Sequence, residues 1–128
     1  MAYADLTGSG IETVAHLREN GRIVVMFCGF EGAPNIVRLH GQGEVLSADQ
    51  AEFTDFERRF PQQVGLRTII RIKVSRVADS CGYAVPFYDF VAPREVLDNY
   101  SEKLGPEGLV KYRVKNNRPS IDGLPGLD

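Results

Sequence analysis

Charge of neither sign is in surplus in this chain of 128 residues. Fifteen basic side chains stand against 17 acidic ones, a formal net charge of −2. A large nucleic-acid footprint needs a concentrated basic surface, so nucleic acid is not an expected partner. Cysteine is scarce. Cys28 and Cys81 stand far apart and neither belongs to a CxxC pair, which excludes metal-finger and thioredoxin-like readings. Cys28 ends the apolar run from Ile23 and reads as a small buried hydrophobe. His16 and His40 lie in different elements with no HxH or HxxxH partner, so no metal site is expected. No apolar run is long enough to cross a bilayer, and the opening Met-Ala-Tyr-Ala-Asp lacks the basic and apolar regions of a signal peptide. The cytoplasm is the expected location, without a membrane partner.

What is present is an ordinary apolar share, 43%, enough to build one core in one domain. Residues 2–6 read as the end of a strand. The small-residue loop Thr7-Gly-Ser-Gly10 follows, and then a helix whose apolar face is Ile11, Val14, Ala15 and Leu17. Ser9 with Glu12 has the spacing of a capping box, and Asn20-Gly21 closes the helix. A strand end, a tight loop and a helix start gather free backbone N–H groups and a partial positive charge in one place. Such a spot seats a phosphate without lysine. The same residues also describe a well-capped turn and nothing more, and Glu12 favours that reading, since its carboxylate competes with an anion for the same donors.

Arg22 to Phe30 is nearly all apolar and β-branched, and reads as a strand covered on both faces. Glu31–Asn35 is a turn. Ile36 to Val45 alternates, with Val37, Leu39 and Val45 on one face and Arg38, His40, Gln42 and Glu44 on the other. The two strands form a hairpin. Gly41 and Gly43 permit sharp curvature or the close approach of another group. Ser47 with Gln50 is a second capping box, opening a helix that carries Phe53, Phe56 and Phe60 as core residues and stops before Pro61. Leu66 to Val77 is a long strand with Ile70, Ile72 and Val74 on one face. Tyr83 to Val91 reads as an edge strand interrupted by Pro86. Pro93 opens a helix bearing Val96, Leu97, Tyr100 and Leu104; Gly105-Pro106 breaks it, and a last helix runs from Glu107 to Asn116. The tail from Arg118 is not regular structure. Residues 1–92 form the sheet core and residues 93–128 pack helices and tail on the same domain. The fold class is α+β: a curved, mainly antiparallel sheet or partial barrel with flanking helices.

These pieces resemble a known family. The order Tyr3-x-Asp-Leu-Thr-Gly-Ser-Gly-x-Glu-Thr-x-Ala-His-Leu17, then Arg22–Cys28, then Ile36-Val-Arg-Leu-His-Gly-x-Gly43 is similar to pyridoxamine 5′-phosphate oxidase-like proteins, the FMN-binding split barrels. Asp79-Ser-Cys-Gly-Tyr-Ala-Val-Pro86, Gly105–Leu109 and Ser120–Leu127 match one subgroup. The resemblance implies a split barrel and a homodimer with FMN in clefts between subunits. It implies electron or hydride transfer through the flavin to an unknown small molecule. Thr7, Gly8, Ser9, Gly10 and Thr13 would hold the phosphate; Arg38 with Ser80, Cys81, Gly82 and Tyr83 would line the ring.

For Arg38 and His40 a solvated face is the alternative, and for Ser80–Tyr83 a β-turn that needs Gly82. Cys81 as a nucleophile has no histidine near it in sequence. The basic streak Lys111, Arg113, Lys115 and Arg118 reads as a solvated helix end. Two departures from the family stand out. Members carry several dozen residues before the position of Ala2, which supply the first barrel strands, so this chain begins mid-pattern, as a truncation or a short natural variant. The Arg-Lys pair of the oxidase is Glu12-Thr13 here, so oxidation of pyridoxamine phosphate itself is not expected. In this short form FMN is then absent in the alternative reading, a cofactor-free dimerisation or small-ligand-binding module.

Overall fold

A computed structural model describes residues 1–127. Its elements are β1 (Ala2–Leu6), α1 (Glu12–Asn20), β2 (Arg22–Cys28), β3 (Ile36–Leu46), α2 (Ala51–Glu57), β4 (Leu66–Ser80) and α3 (Val96–Asn116). The strands make one antiparallel sheet in the order β1-β4-β3-β2, curled into half a barrel. The α+β partial split barrel read from the sequence is the fold observed. No helix among the described residues is long and apolar enough to cross a membrane.

The alternation of β3 and β4 sorts side chains onto two faces. Val45, Gly43 and Gly41 pair with Ile70, Ile72 and Val74 on the concave face. There α1 lays Ile11, Val14 and Leu17 against Ile70 and Ile72, forming the main core. A Cβ on Gly43 would come within 2.6 Å of the Leu17 side chain, so this glycine is what lets α1 sit down. On the other face Leu46 and Ile69 meet Phe53, with Phe56 and Phe60 packed around them. A bulge interrupts the β3–β4 ladder: His40 pairs with Arg76 but Gly41 pairs with Val74, leaving Ser75 as the extra residue.

Local endings are mixed. Gly21 closes α1 in the left-handed conformation, its N–H donating to the Leu17 carbonyl. The first capping box does not form. Ile11, not Ser9, precedes α1 and no side chain caps it; the Glu12 carboxylate turns back to accept from the Ile11 N–H. The second forms by half, with Gln50 Oε1 accepting from the Ser47 N–H. Three further expectations are corrected. β2 is an edge strand rather than a doubly covered one, with Val24, Met26 and Phe27 exposed. Residues 83–91 form no strand, because no edge receives them and Pro86 removes a donor. The break expected at Gly105-Pro106 is present, Gly105 standing at φ 64° and ψ 176°, but the helix before it starts at Val96 rather than Pro93. The tail folds back as a small hairpin about a Pro119–Pro125 bridge, and Leu127 reaches the main core.

Candidate functional site

The loop after β1 is held from inside. Thr7 is buried; its N–H and its hydroxyl both donate to the Gly65 carbonyl, at 2.7 and 2.8 Å. Its hydroxyl accepts from Arg113 Nε at 2.8 Å. The carbonyls of Gly8 and Gly10 accept from Arg67 at 3.2 and 2.8 Å, and Asn117 Nδ2 donates to Gly8 at 2.8 Å. Arg67 in turn binds both Asp5 carboxylate oxygens and the Asn117 side-chain oxygen. Turning the carbonyls inward leaves the N–H groups of Gly8, Ser9 and Gly10 donating to no described group. Ser9 and Gly10 are exposed, and nothing lies within 4 Å of where a Cβ on Gly8 would stand.

The helix start beside this loop is already occupied by an anion of the chain's own. The Glu12 carboxylate accepts from the N–H groups of Glu12, Ile121 and Ile11, which hold it below the usual carboxylate range in that order of effect. One turn on, His16 contacts the Asp122 carboxylate at 3.0 Å. Asp122 is also held low, first by the Ser120 hydroxyl and then by His16. The outer face of α1 is thus the dock for the tail.

Thr13 points elsewhere. It shares a hydrogen bond with the Tyr3 hydroxyl, whose ionisation burial pushes up, with Asp5 adding to the shift. The two flank a cleft of about 620 Å³ that runs along β2 past Leu17, Ile23, Val25 and Phe27. Its walls are mostly apolar with polar groups at one end, the usual character of a small-molecule site. A second cavity of about 740 Å³ places His16 and His40 on one wall system with Ser75 and Asp122. Among the described residues no group of three or more His, Cys, Asp or Glu side chains is arranged to hold a metal.

The remaining predicted residues gather at the far end of the sheet. Arg38 Nη1 donates to Ser80 Oγ at 3.0 Å across the β3–β4 pair. Cys81 is exposed, and Gly82 is buried with φ 63° where a Cβ would meet the Asn35 backbone at 2.7 Å. Gly82 opens a turn closed by the Val85 N–H, and Tyr83 projects into solvent. The predicted residues therefore form two clusters. One surrounds the start of β4 and the other its end; 15 residues at about 3.3 Å each span roughly 45 Å.

A family model described as pyridoxamine 5′-phosphate oxidase matches residues 2–81. The chain belongs to the pyridoxamine 5′-phosphate oxidase-like family. It is similar to the pyridoxamine 5′-phosphate oxidase family protein ustO of Aspergillus flavus, 37% identical over 142 aligned positions. That alignment covers 99% of this chain and 57% of the relative, so the chain spans little more than half of that protein's length. No solved structure matches it. Within the family frame, sequence reasoning missed Arg67, Asn117 and Arg113, which shape the loop from within. Arg67 carried one legible signal: a cation two residues before the fully buried Ile69.

Proposed function

We propose that this chain is the flavin-site half-barrel of an FMN-dependent redox protein that works as a homodimer on a small molecule. The observation that carries the reading is the apolar cleft of about 620 Å³ that opens at Thr13 and follows the free edge β2. A flat heteroaromatic ring suits such walls. The unengaged N–H groups of Gly8, Ser9 and Gly10 and the hydroxyl of Ser9 supply donors for a phosphate. When bound, FMN supplies hydride or electron transfer; the protein's part is to orient the ring and keep water from it. The uncovered apolar edge β2, with Val24, Met26 and Phe27 exposed, supports a dimer, since a second copy would cover it. The test is a titration of the whole chain with FMN, read by flavin fluorescence and by the colour retained after desalting. A yellow protein with one FMN per chain is expected, and a colourless one overturns the reading.

A second reading, a cofactor-free dimerisation or ligand-binding module, is favoured by one observation. The Glu12 carboxylate already satisfies the donors at the start of α1 that a phosphate would use. Under that reading the titration gives no uptake while the protein remains dimeric.

A further inference from the structure

Every residue from Pro86 to Tyr100 is exposed. Seven of these 15 are large and apolar, among them Phe87 (81% exposed), Phe90 (77%), Val91 (93%) and Val96 (72%). Scattered apolar residues on a surface need no explanation, but a continuous run of this kind does. The segment is tied at two points. Tyr88 packs edge-on against Phe30 and donates its N–H to the Phe30 carbonyl. Ser101 is buried against Gly65 at the start of β4. Between Asp89 and Arg94 no backbone or side-chain hydrogen bond joins the strap to any described residue. Eight extended residues and one turn of helix reach roughly 35 Å. Exposed along its whole length, the strap does not lie down on its own sheet.

A surface of complementary character is bare on the same molecule. The outer faces of β2, β3 and β4 place Val24, His40 and Arg76 in one row and Met26, Arg38 and Ala78 in the next. Arg22 and Lys73 extend it, and the one carboxylate that β2, β3 and β4 themselves place on this face among the described residues, Glu44, is engaged by Arg71. Like charges on neighbouring strands repel unless something answers them. The strap carries Asp89, Glu95 and Asp98 against the single cation Arg94. Apolar side chains flanked by carboxylates face apolar side chains flanked by guanidiniums.

We infer that the strap Pro86–Tyr100 of each subunit lies across the outer sheet face of a second copy. Its aromatics cover Val24 and Met26, and its carboxylates meet Arg38, Lys73 and Arg76. The exchange is reciprocal, as a two-fold interface requires. It rests on the dimer of the reading above and gives that dimer its occupant: the partner's strap roofs the Arg38–Ser80 cluster, so the far end of the site is incomplete in one chain.

Sedimentation equilibrium of the whole chain tests this, with the variants F87D/F90D and K73E/R76E. A wild-type dimer is expected, with the dissociation constant raised about tenfold or more in each variant and weakened further by salt. Circular dichroism and melting should stay unchanged. If F87D/F90D fails to fold, K73E/R76E decides, because both side chains are exposed and form no described hydrogen bond or ion pair. A dimer that persists at wild-type strength in the folded variants overturns the strap exchange and leaves the flavin reading standing. A monomeric wild type overturns the exchange and the dimer together, and FMN uptake by that monomer would preserve the flavin site alone.

Discussion

Arg67 decides the shape of the loop that the sequence points to. Its guanidinium is almost wholly enclosed and binds Asp5, two loop carbonyls and Asn117. Removing one partner of a buried ion pair strands the other charge, which costs about 3–5 kcal/mol. R67A is expected to lose that much in urea unfolding, and R67K to recover only part, since one ammonium cannot serve four acceptor groups. A wild-type midpoint in R67A would refute the role. Arg113 lies beside it with its pKa pushed down by burial and then by Arg67; in the sequence it reads as solvated because periodicity places it near a helix end and says nothing of what lies opposite. Glu12 is the other decisive residue. E12Q removes the competing charge from the helix start and should tighten FMN about two- to fivefold, read by fluorescence titration. Weaker binding in E12Q would mean the carboxylate holds the loop open rather than blocks it. The suspicion against Glu12 was legible from spacing alone, but its capture of the Ile121 N–H was not, because that partner is 109 residues away.

Elements form where local chemistry and burial agree. The hairpin, the long β4 and the Gly21 stop were all readable, since alternation and a left-handed glycine are local signals. Gly41 and Gly43 show how far such signals reach. A Cβ on Gly41 would stand 2.4 Å from the Lys73 carbonyl, a backbone atom fixed by the ladder. A Cβ on Gly43 meets only side-chain ends, those of Leu17 and Ile23. G41A should therefore destabilise by about 1–3 kcal/mol and G43A by less, as chemical unfolding would report; the reverse order would contradict the bulge geometry. The tail depends on α1 through two carboxylates whose folded pKa values are depressed. Depressed acids stabilise fully above their unfolded values, near pH 4, and lose that contribution as pH falls through the lower folded values. Amide exchange at Ile121 should thus accelerate below about pH 4 while core amides stay protected, and E12Q should weaken the acid dependence, leaving the share that Asp122 carries. Protection of Ile121 that is indifferent to acid would sink this coupling.

The molecule as a whole exposes what its elements were built to hide. β2 has the composition of a central strand, yet it sits at an edge with Met26 56% exposed. An uncovered apolar edge invites pairing. M26K on that strand should leave the melting temperature nearly unchanged and weaken self-association about tenfold or more, measured by light scattering against concentration. Unaltered association would move the interface away from β2.

By itself the sequence determined the alternation of β3 and β4, the glycines at 21, 41, 43 and 82 and the family, because those depend on neighbours within a few residues or on the order of motifs. Only the tertiary structure decided which face α1 covers, that Arg67 and Asn117 hold the loop from beneath, and that the strap stands clear of its own sheet. Those outcomes depend on contacts between residues some 50 to 100 positions apart. Their energies come from burial and from charges meeting out of water, and neither is written in local spacing.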